Sequence, residues 1–270
     1  MFDYSGKTVV VIGGTSGINR GIALCFAKSG AQVAVASRDQ AKVDDTVAQL
    51  QAQGGNAMGF AADVRNKDEL DAGMASVHAA FGDFDVLVSG AAGNFPALAN
   101  GMSANGFKSV IDIDLVGTFH VMQSAHPYLR KPGASVINIS APQAFLPMIG
   151  QSHVCAAKAG VDMITRTLAM EWGPEGIRVN SLVPGPIEGT EGMKRLAPTP
   201  EFLDKTRQSV PTQRLGQTED IGNAAMFLAS DFASYINGVI LPVDGGWSLA
   251  GASALSSVMG KFLQGTAGKA

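Results

Sequence analysis

Residues able to do chemistry cluster at the ends of short apolar runs. Val9-Val10-Val11-Ile12 is followed at once by Gly13-Gly14-Thr15-Ser16-Gly17-Ile18, which opens a helix-length stretch. Glycines let a chain turn sharply and approach a pyrophosphate, and a helix start adds free N–H groups and a positive dipole end. Gly13, Thr15, Ser16, Gly17 and Ile18 are therefore candidate nucleotide contacts. A tight turn without a ligand is the plainer reading of such a motif. Its place after an N-terminal strand, and before a strand that ends in a basic residue, favours the nucleotide.

The second apolar run ends in Ser37-Arg38. An acidic residue there would accept hydrogen bonds from a ribose 2′-hydroxyl and repel a 2′-phosphate. A guanidinium does the reverse. Ser37 and Arg38 thus predict NADP(H) over NAD(H), and a surface salt bridge from Arg38 to Asp39 or Asp63 is the other reading. Asp63-Val64 follows the third run and could flank an adenine.

The spacing predicts a helix from Ser152 to Trp172, with Ala157, Val161, Ile164, Leu168 and Trp172 along one face. That stripe reads as core. Lys158 lies one residue off it, toward the rim.

These groups need a frame. Apolar, β-branched runs at 9–12, 32–36, 57–61, 86–88, 135–139, 179–183 and 238–241 alternate with helical stretches such as 17–28, 40–53 and 67–81. Near-continuous apolar strands between helices predict a parallel sheet covered on both faces. The expectation is an α/β fold, a doubly wound Rossmann-type parallel sheet of about seven strands flanked by helices. It forms a single domain over 1–250. The segment 184–211, rich in Pro, Gly and Thr, reads as an irregular substrate lid, and 251–270 as a C-terminal tail.

Composition excludes several classes. The 270 residues carry a net charge of −3, so nothing argues for nucleic acid or an anionic membrane. No apolar run approaches membrane-spanning length. Only two cysteines occur, Cys25 and Cys155, which predicts reduced thiols and a cytoplasmic protein. The first residues lack a signal-peptide pattern, and the last three are not a peroxisomal tripeptide.

The chain resembles the short-chain dehydrogenase/reductases from Lys7 to about Gly246. The glycine loop, Asp63-Val64, Ser89-Gly90-Ala91-Ala92-Gly93, Asp114-Leu115-Val116-Gly117, Ser140, Lys158, Pro184-Gly185-Pro186 and Asp244-Gly245-Gly246 carry the likeness. The resemblance adds Ala91, Lys158, Pro184, Gly185, Ile187 and Thr190 to the expected cofactor contacts. It implies a homotetramer. Four positions depart from the pattern. Asn19 stands at the third glycine, Ser89-Gly90 at an Asn-Asn pair, Asp114 at a catalytic asparagine and Val154 at the proton-donating tyrosine.

A narrower resemblance accounts for the last two. Ala91-Ala92-Gly93-Asn94-Phe95, Val110-Ile111-Asp112-Ile113-Asp114, Glu171-Trp172-Gly173-Pro174 and Pro184-Gly185-Pro186-Ile187-Glu188-Gly189-Thr190-Glu191-Gly192 look like peroxisomal-type 2,4-dienoyl-CoA reductases. That group also lacks the tyrosine and carries an aspartate. It implies NADPH, an acyl-CoA substrate, and Asp114, Lys158 and Ser140 as catalytic residues. Arg65, Phe95, Ser103 and Asn105 become expected substrate contacts.

The chemistry agrees. Hydride added to a conjugated dienoyl thioester leaves a dienolate, and the proton must reach a carbon. A water oriented by an aspartate–lysine pair can deliver it without a tyrosine.

Plainer readings stand beside these. Asp114, like Asp112, could be a solvent-exposed helix carboxylate. Ser140 could cap a loop, and His153 could be structural. Two other functions remain open: a carbonyl reductase that borrows Tyr4, Tyr128 or Tyr235, and a catalytically inactive nucleotide-binding protein.

Overall fold

The computed structural model describes residues 2–197 and 199–252. Most of the expected tail lies outside the described residues. The elements run β1 (Thr8–Ile12), α1 (Gly17–Lys28), β2 (Gln32–Ser37), α2 (Gln40–Gln51), β3 (Ala57–Ala61) and α3 (Lys67–Phe81). Next come β4 (Val86–Ser89), α4 (Ala104–Val110), a π-helical turn Ile111–Val116, α5 (Gly117–Ala125), β5 (Ser135–Ile139) and α6 (Ser152–Trp172). β6 (Arg178–Pro184), α7 (Glu191–Leu196), α8 (Pro200–Ser209), α9 (Thr218–Ala229) and β7 (Ile240–Val243) complete the order.

The sheet has seven strands in the order β3-β2-β1-β4-β5-β6-β7, all parallel. The expected fold class is therefore the observed one. The chain order reverses between β1 and β4. Such a switch point opens a crevice beyond the carboxyl ends of the strands.

Side-chain alternation explains why β1 is apolar from Val9 to Ile12. Val9 and Val11 face one core with Ile22, Phe26, Ile221 and Ala225, from α1 and α9. Val10 and Ile12 face the other with Leu70, Met74, Val121 and Trp172, from α3, α5 and α6. The strand is covered on both sides, so these four positions are apolar, and the buried Thr8 hydroxyl is satisfied by donating to Phe81 O. Burying each of these side chains contributes about 1.5–3 kcal/mol.

Several boundaries differ from the sequence expectation. The last strand lies at Ile240–Val243, two residues later than read. The segment 184–211 is not irregular. It holds α7, capped by the Thr190 hydroxyl, and α8, capped by Thr199 with Pro200 in the first turn. Proline is favourable there, because its missing N–H would be unpaired anyway. Pro200, which reads as a breaker, is a helix start.

At the amino ends of the strands, Asp85 acts as a clamp. Its carboxylate accepts from Lys7 Nζ at 3.1 Å, Thr8 N at 2.9 Å and Arg130 Nε at 2.7 Å. Burial alone would push this carboxyl up; the hydrogen bonds from Arg130, Thr8 and Lys7 outweigh it and hold the pKa below the ordinary value. A depressed pKa means that ionisation favours the folded state. The contribution is full above the unfolded value of about 3.9 and is lost as pH falls through the folded one. Asp85→Ala should cost about 1.5–3 kcal/mol at neutral pH. The loss in denaturant unfolding should shrink in acid; an unchanged midpoint would contradict the clamp.

Candidate active site

The switch-point crevice holds a cavity of about 490 Å³, lined by Gly13, Thr15, Ser16, Asn19, Ser37, Arg38, Lys42, Asp63, Val64, Gly90, Ala91 and neighbours. Most of the expected nucleotide contacts thus share one wall. Gly13 has φ +77°, and a Cβ there would lie 2.8 Å from Ala91 N. Only glycine suits that backbone, so the turn stays open for a ligand's close approach. Lys42, one turn into α2, adds a second cation beside Arg38. Sequence reading missed it, although the spacing of four residues in a helix start was a usable signal. Arg38 does not form the salt bridge considered for it with Asp63. Asp63 is taken by Arg65, whose Nε donates to Oδ1 at 3.0 Å.

The loop after β6 closes the other side. Thr190 Cγ2 would sit 3.7 Å from a Cβ on Gly17, so the α7 cap lies over the glycine turn. Its hydroxyl donates to Ile187 O at 2.9 Å. Pro184, Gly185 and Ile187 continue from the strand end, and Gly185 is packed against Asp244 so closely that a Cβ would lie 2.6 Å from its Cα. A glycine cradle at a helix start, with cations on the wall, fits a nicotinamide dinucleotide.

Beyond the cavity lies a buried charge pair. Asp114, on the π-helical turn, is 1% exposed, and Lys158, on α6, is 6% exposed. Neither is the rim or surface residue that one reading of the sequence allowed. Lys158 Nζ donates to Ile139 O at 2.9 Å and faces Asp114 Oδ2 at 3.6 Å. Asp114 Oδ1 accepts from Gly93 N at 2.7 Å. Oδ2 has no hydrogen-bond partner among the described residues. Burial pushes the Asp114 carboxyl up, against the opposing pull of Lys158, the Gly93 N–H and His153. A π-helical turn widens the local pitch, and such turns recur at functional sites. Asp112, two residues earlier, pairs with Lys108 on the outside.

Val154 is 3% exposed and packs with Val110, Ala157, Phe95 and Leu115. An apolar wall thus occupies the tyrosine position. His153 is fully buried, its ring 4.6 Å from that of Phe95, with neither ring nitrogen bonded among the described residues. Ser140, at the end of β5, is buried with an unbonded Oγ. Behind it stands Asp162, one helical turn after Lys158 and 5% exposed. Burial pushes its carboxyl up, opposed by the Ser140 hydroxyl, which lies near it but short of hydrogen-bond geometry, and by Arg166 and Ser181. Sequence reading missed Asp162, although its spacing from Lys158 put both on one helix face.

The expected substrate residues divide. Phe95 joins the apolar wall. Ser103 caps α4, its Oγ accepting from Gly106 N at 3.0 Å, and Asn105 is exposed in the first turn of that helix. Arg65 points to Asp63 rather than into the cavity. The tyrosines all lie at the opposite, amino end of the strands. Tyr4 donates to Met226 O, Tyr128 stacks on His78, and Tyr235 is exposed ahead of β7. A borrowed tyrosine donor is therefore absent.

The family model described as enoyl-(acyl carrier protein) reductase matches residues 13–248. A peroxisomal 2,4-dienoyl-CoA reductase of Arabidopsis thaliana is 42% identical over 251 residues, covering 89% of this chain and 84% of the relative. A probable 2,4-dienoyl-CoA reductase of Bacillus subtilis is 40% identical over 243 residues, covering 89% and 96%. Among solved structures, the Pseudomonas aeruginosa RhlG/NADP complex superposes with a TM-score of 0.85 at 27% identity, covering 92% of this chain and 98% of that one. With its strand order, glycine turn and buried lysine, the chain belongs to the short-chain dehydrogenase/reductase family.

Proposed function

We propose that the chain reduces conjugated 2,4-dienoyl-CoA thioesters with NADPH. The observation that carries this reading is the buried Asp114–Lys158 pair beside a tyrosine position filled by Val154. The printed activities of the Arabidopsis and Bacillus relatives support the substrate class. Arg38 and Lys42 on the cavity wall support the 2′-phosphate.

A bound nicotinamide would supply the hydride, delivered to the far end of the conjugated system. Negative charge then spreads toward the thioester oxygen. Lys158, held inward by Ile139 O, lends positive charge to that developing enolate. Ser140 Oγ is available as a donor to the same oxygen. Asp114 Oδ2 and Lys158 Nζ together hold a water, which passes its proton to carbon. The ammonium replaces the proton that the water gives up. Phe95 and Val154 form an apolar surface for the acyl chain, and α7 and α8 serve as the lid. Arg65, Ser103 and Asn105 stand outside the reacting centre, where a CoA phosphate and linker would pass.

The reading extends to the assembly. Leu115, Val116, Phe119 and Met163 form an apolar face on the outer sides of α5 and α6, which supports a homotetramer. Cys25 and Cys155 are free thiols, as the cytoplasm favours. No helix among the described residues is long and apolar enough to cross a membrane.

The deciding experiment follows NADPH oxidation with 2,4-hexadienoyl-CoA and with simple ketones. Turnover of the dienoyl thioester alone is expected; turnover of ketones alone overturns the reading. NADPH should bind more tightly than NADH, and Arg38→Ala should remove about 1.5–3 kcal/mol of that preference. Equal wild-type affinity for both cofactors would refute the role of Arg38.

Asp114→Asn should keep the fold and lower kcat by about 10²–10⁴, because the amide no longer orients the water or balances the ammonium of Lys158. Burial raises the Asp114 pKa, and activity needs its ionised form. The rate should therefore fall as pH drops through a value above the ordinary carboxylate pKa of about 3.9. Full activity in Asp114→Asn would make the water mechanism wrong.

A further inference from the structure

Two of the four departures from the family pattern meet in space. Asn19, at the third glycine position, and Gly90, in place of an asparagine, both line the nucleotide cavity. The Asn19 side chain crosses from the first turn of α1 to the exit of β4, where Nδ2 donates to Gly90 O at 2.7 Å. Gly90 O can only accept, so the bond fixes which end of the amide points where. The side chain is 8% exposed. A Cβ on Gly90 would lie 2.3 Å from Asn19 Oδ1 and 2.4 Å from Nδ2. Gly90 has no positive φ. Its backbone would accept alanine; the Asn19 amide excludes it.

The loop that Asn19 holds has a second anchor. Gly93 N, three residues on, donates to Asp114 Oδ1 at 2.7 Å. The Gly13 turn also presses on this loop, because a Cβ there would lie 2.8 Å from Ala91 N. Residues 90–93 thus connect the cofactor cavity to the buried carboxylate, clamped at both ends.

We propose that Asn19 is a positioning residue. Its amide straps the 90–93 loop at a set height over the cofactor cavity and, through the Gly93 N–H, orients Asp114. Asn19 and Gly90 act as one unit: the amide fills the space that a Cβ on Gly90 would need. The effect on Asp114 rests on the function proposed above, whereas the effect on the cofactor does not.

Four variants test this: Asn19→Leu, which keeps the volume and removes the hydrogen bond, Asn19→Gly, Gly90→Ala and the double variant Asn19→Gly/Gly90→Ala. NADPH Kd is read by fluorescence titration, and kcat and KM with 2,4-hexadienoyl-CoA. Asn19→Leu should raise the NADPH Kd by about 2- to 12-fold, the worth of one hydrogen bond. It should lower kcat by a similar factor while acyl-CoA KM stays nearly constant. A merely structural role would lower Tm and leave both values alone. Gly90→Ala should weaken NADPH binding about tenfold alone and far less in the Asn19→Gly background. Equal losses in both backgrounds, or wild-type kcat and Kd in Asn19→Leu, overturn the proposal. A wild-type enzyme inert toward dienoyl-CoA refutes the function instead, and the Kd cycle still decides for or against the strap.

Discussion

The chemistry proposed for this molecule depends on keeping one carboxylate and one ammonium together out of water. Desolvating a single ion costs several kcal/mol even after the protein relaxes. Asp114 and Lys158 share that cost at 3.6 Å, and neither could be left alone. Each also needs a backbone partner that no side-chain change removes: Gly93 N for Asp114, Ile139 O for Lys158. Those partners sit at the carboxyl ends of β4 and β5, next to the switch point. The sheet order that opens the nucleotide crevice is therefore also what places the charged pair at its inner end.

The same geometry explains why the tyrosine can be absent. A ketone would need an acid within reach of its oxygen. Here that position is Val154, packed with Val110, Ala157 and Phe95, and the tyrosines lie at the other end of the sheet. What remains is a site able to stabilise an oxygen's charge and hold a small polar molecule, with an apolar side wall. Addition to a conjugated thioester needs just those features, because its proton goes to carbon.

Much of this was legible in the sequence, for identifiable reasons. The strands could be read because both faces are buried, which leaves runs such as Val9–Ile12 wholly apolar. α3 and α6 were read to the residue, because their apolar stripes are long. The Gly13–Gly17 turn announced the nucleotide, because few other backbones need glycines in that place. What escaped was tertiary. α8 was hidden by Pro200, whose role as a helix start depends on Thr199 as cap, and α7 is a six-residue helix behind the Thr190 cap, too short for an apolar stripe. The burial of Lys158 was missed because one residue off a stripe reads as rim until the π-helical turn packs across it. The link between Asn19 and Gly90 spans 71 positions, and no local pattern reports such a contact.

Two buried aspartates show how the fold separates stability from chemistry. Asp85 accepts hydrogen bonds from Arg130, Thr8 N and Lys7, and its pKa is held down. Asp114 accepts one hydrogen bond, has Lys158 beyond hydrogen-bond reach, and is pushed up. Both are desolvated, so the difference lies in how fully their lone pairs are used. At the amino ends of the strands Asp85 is fully used, and its bonds tie the start of β1 to the segments that precede β4 and β5. At the carboxyl ends Asp114 Oδ2, Ser140 Oγ and the His153 nitrogens are buried without partners. Unused hydrogen-bonding capacity destabilises an empty site, and it is the capacity that a ligand and a held water would fill. The clamp at one end of the sheet offsets the strain of an under-bonded site at the other.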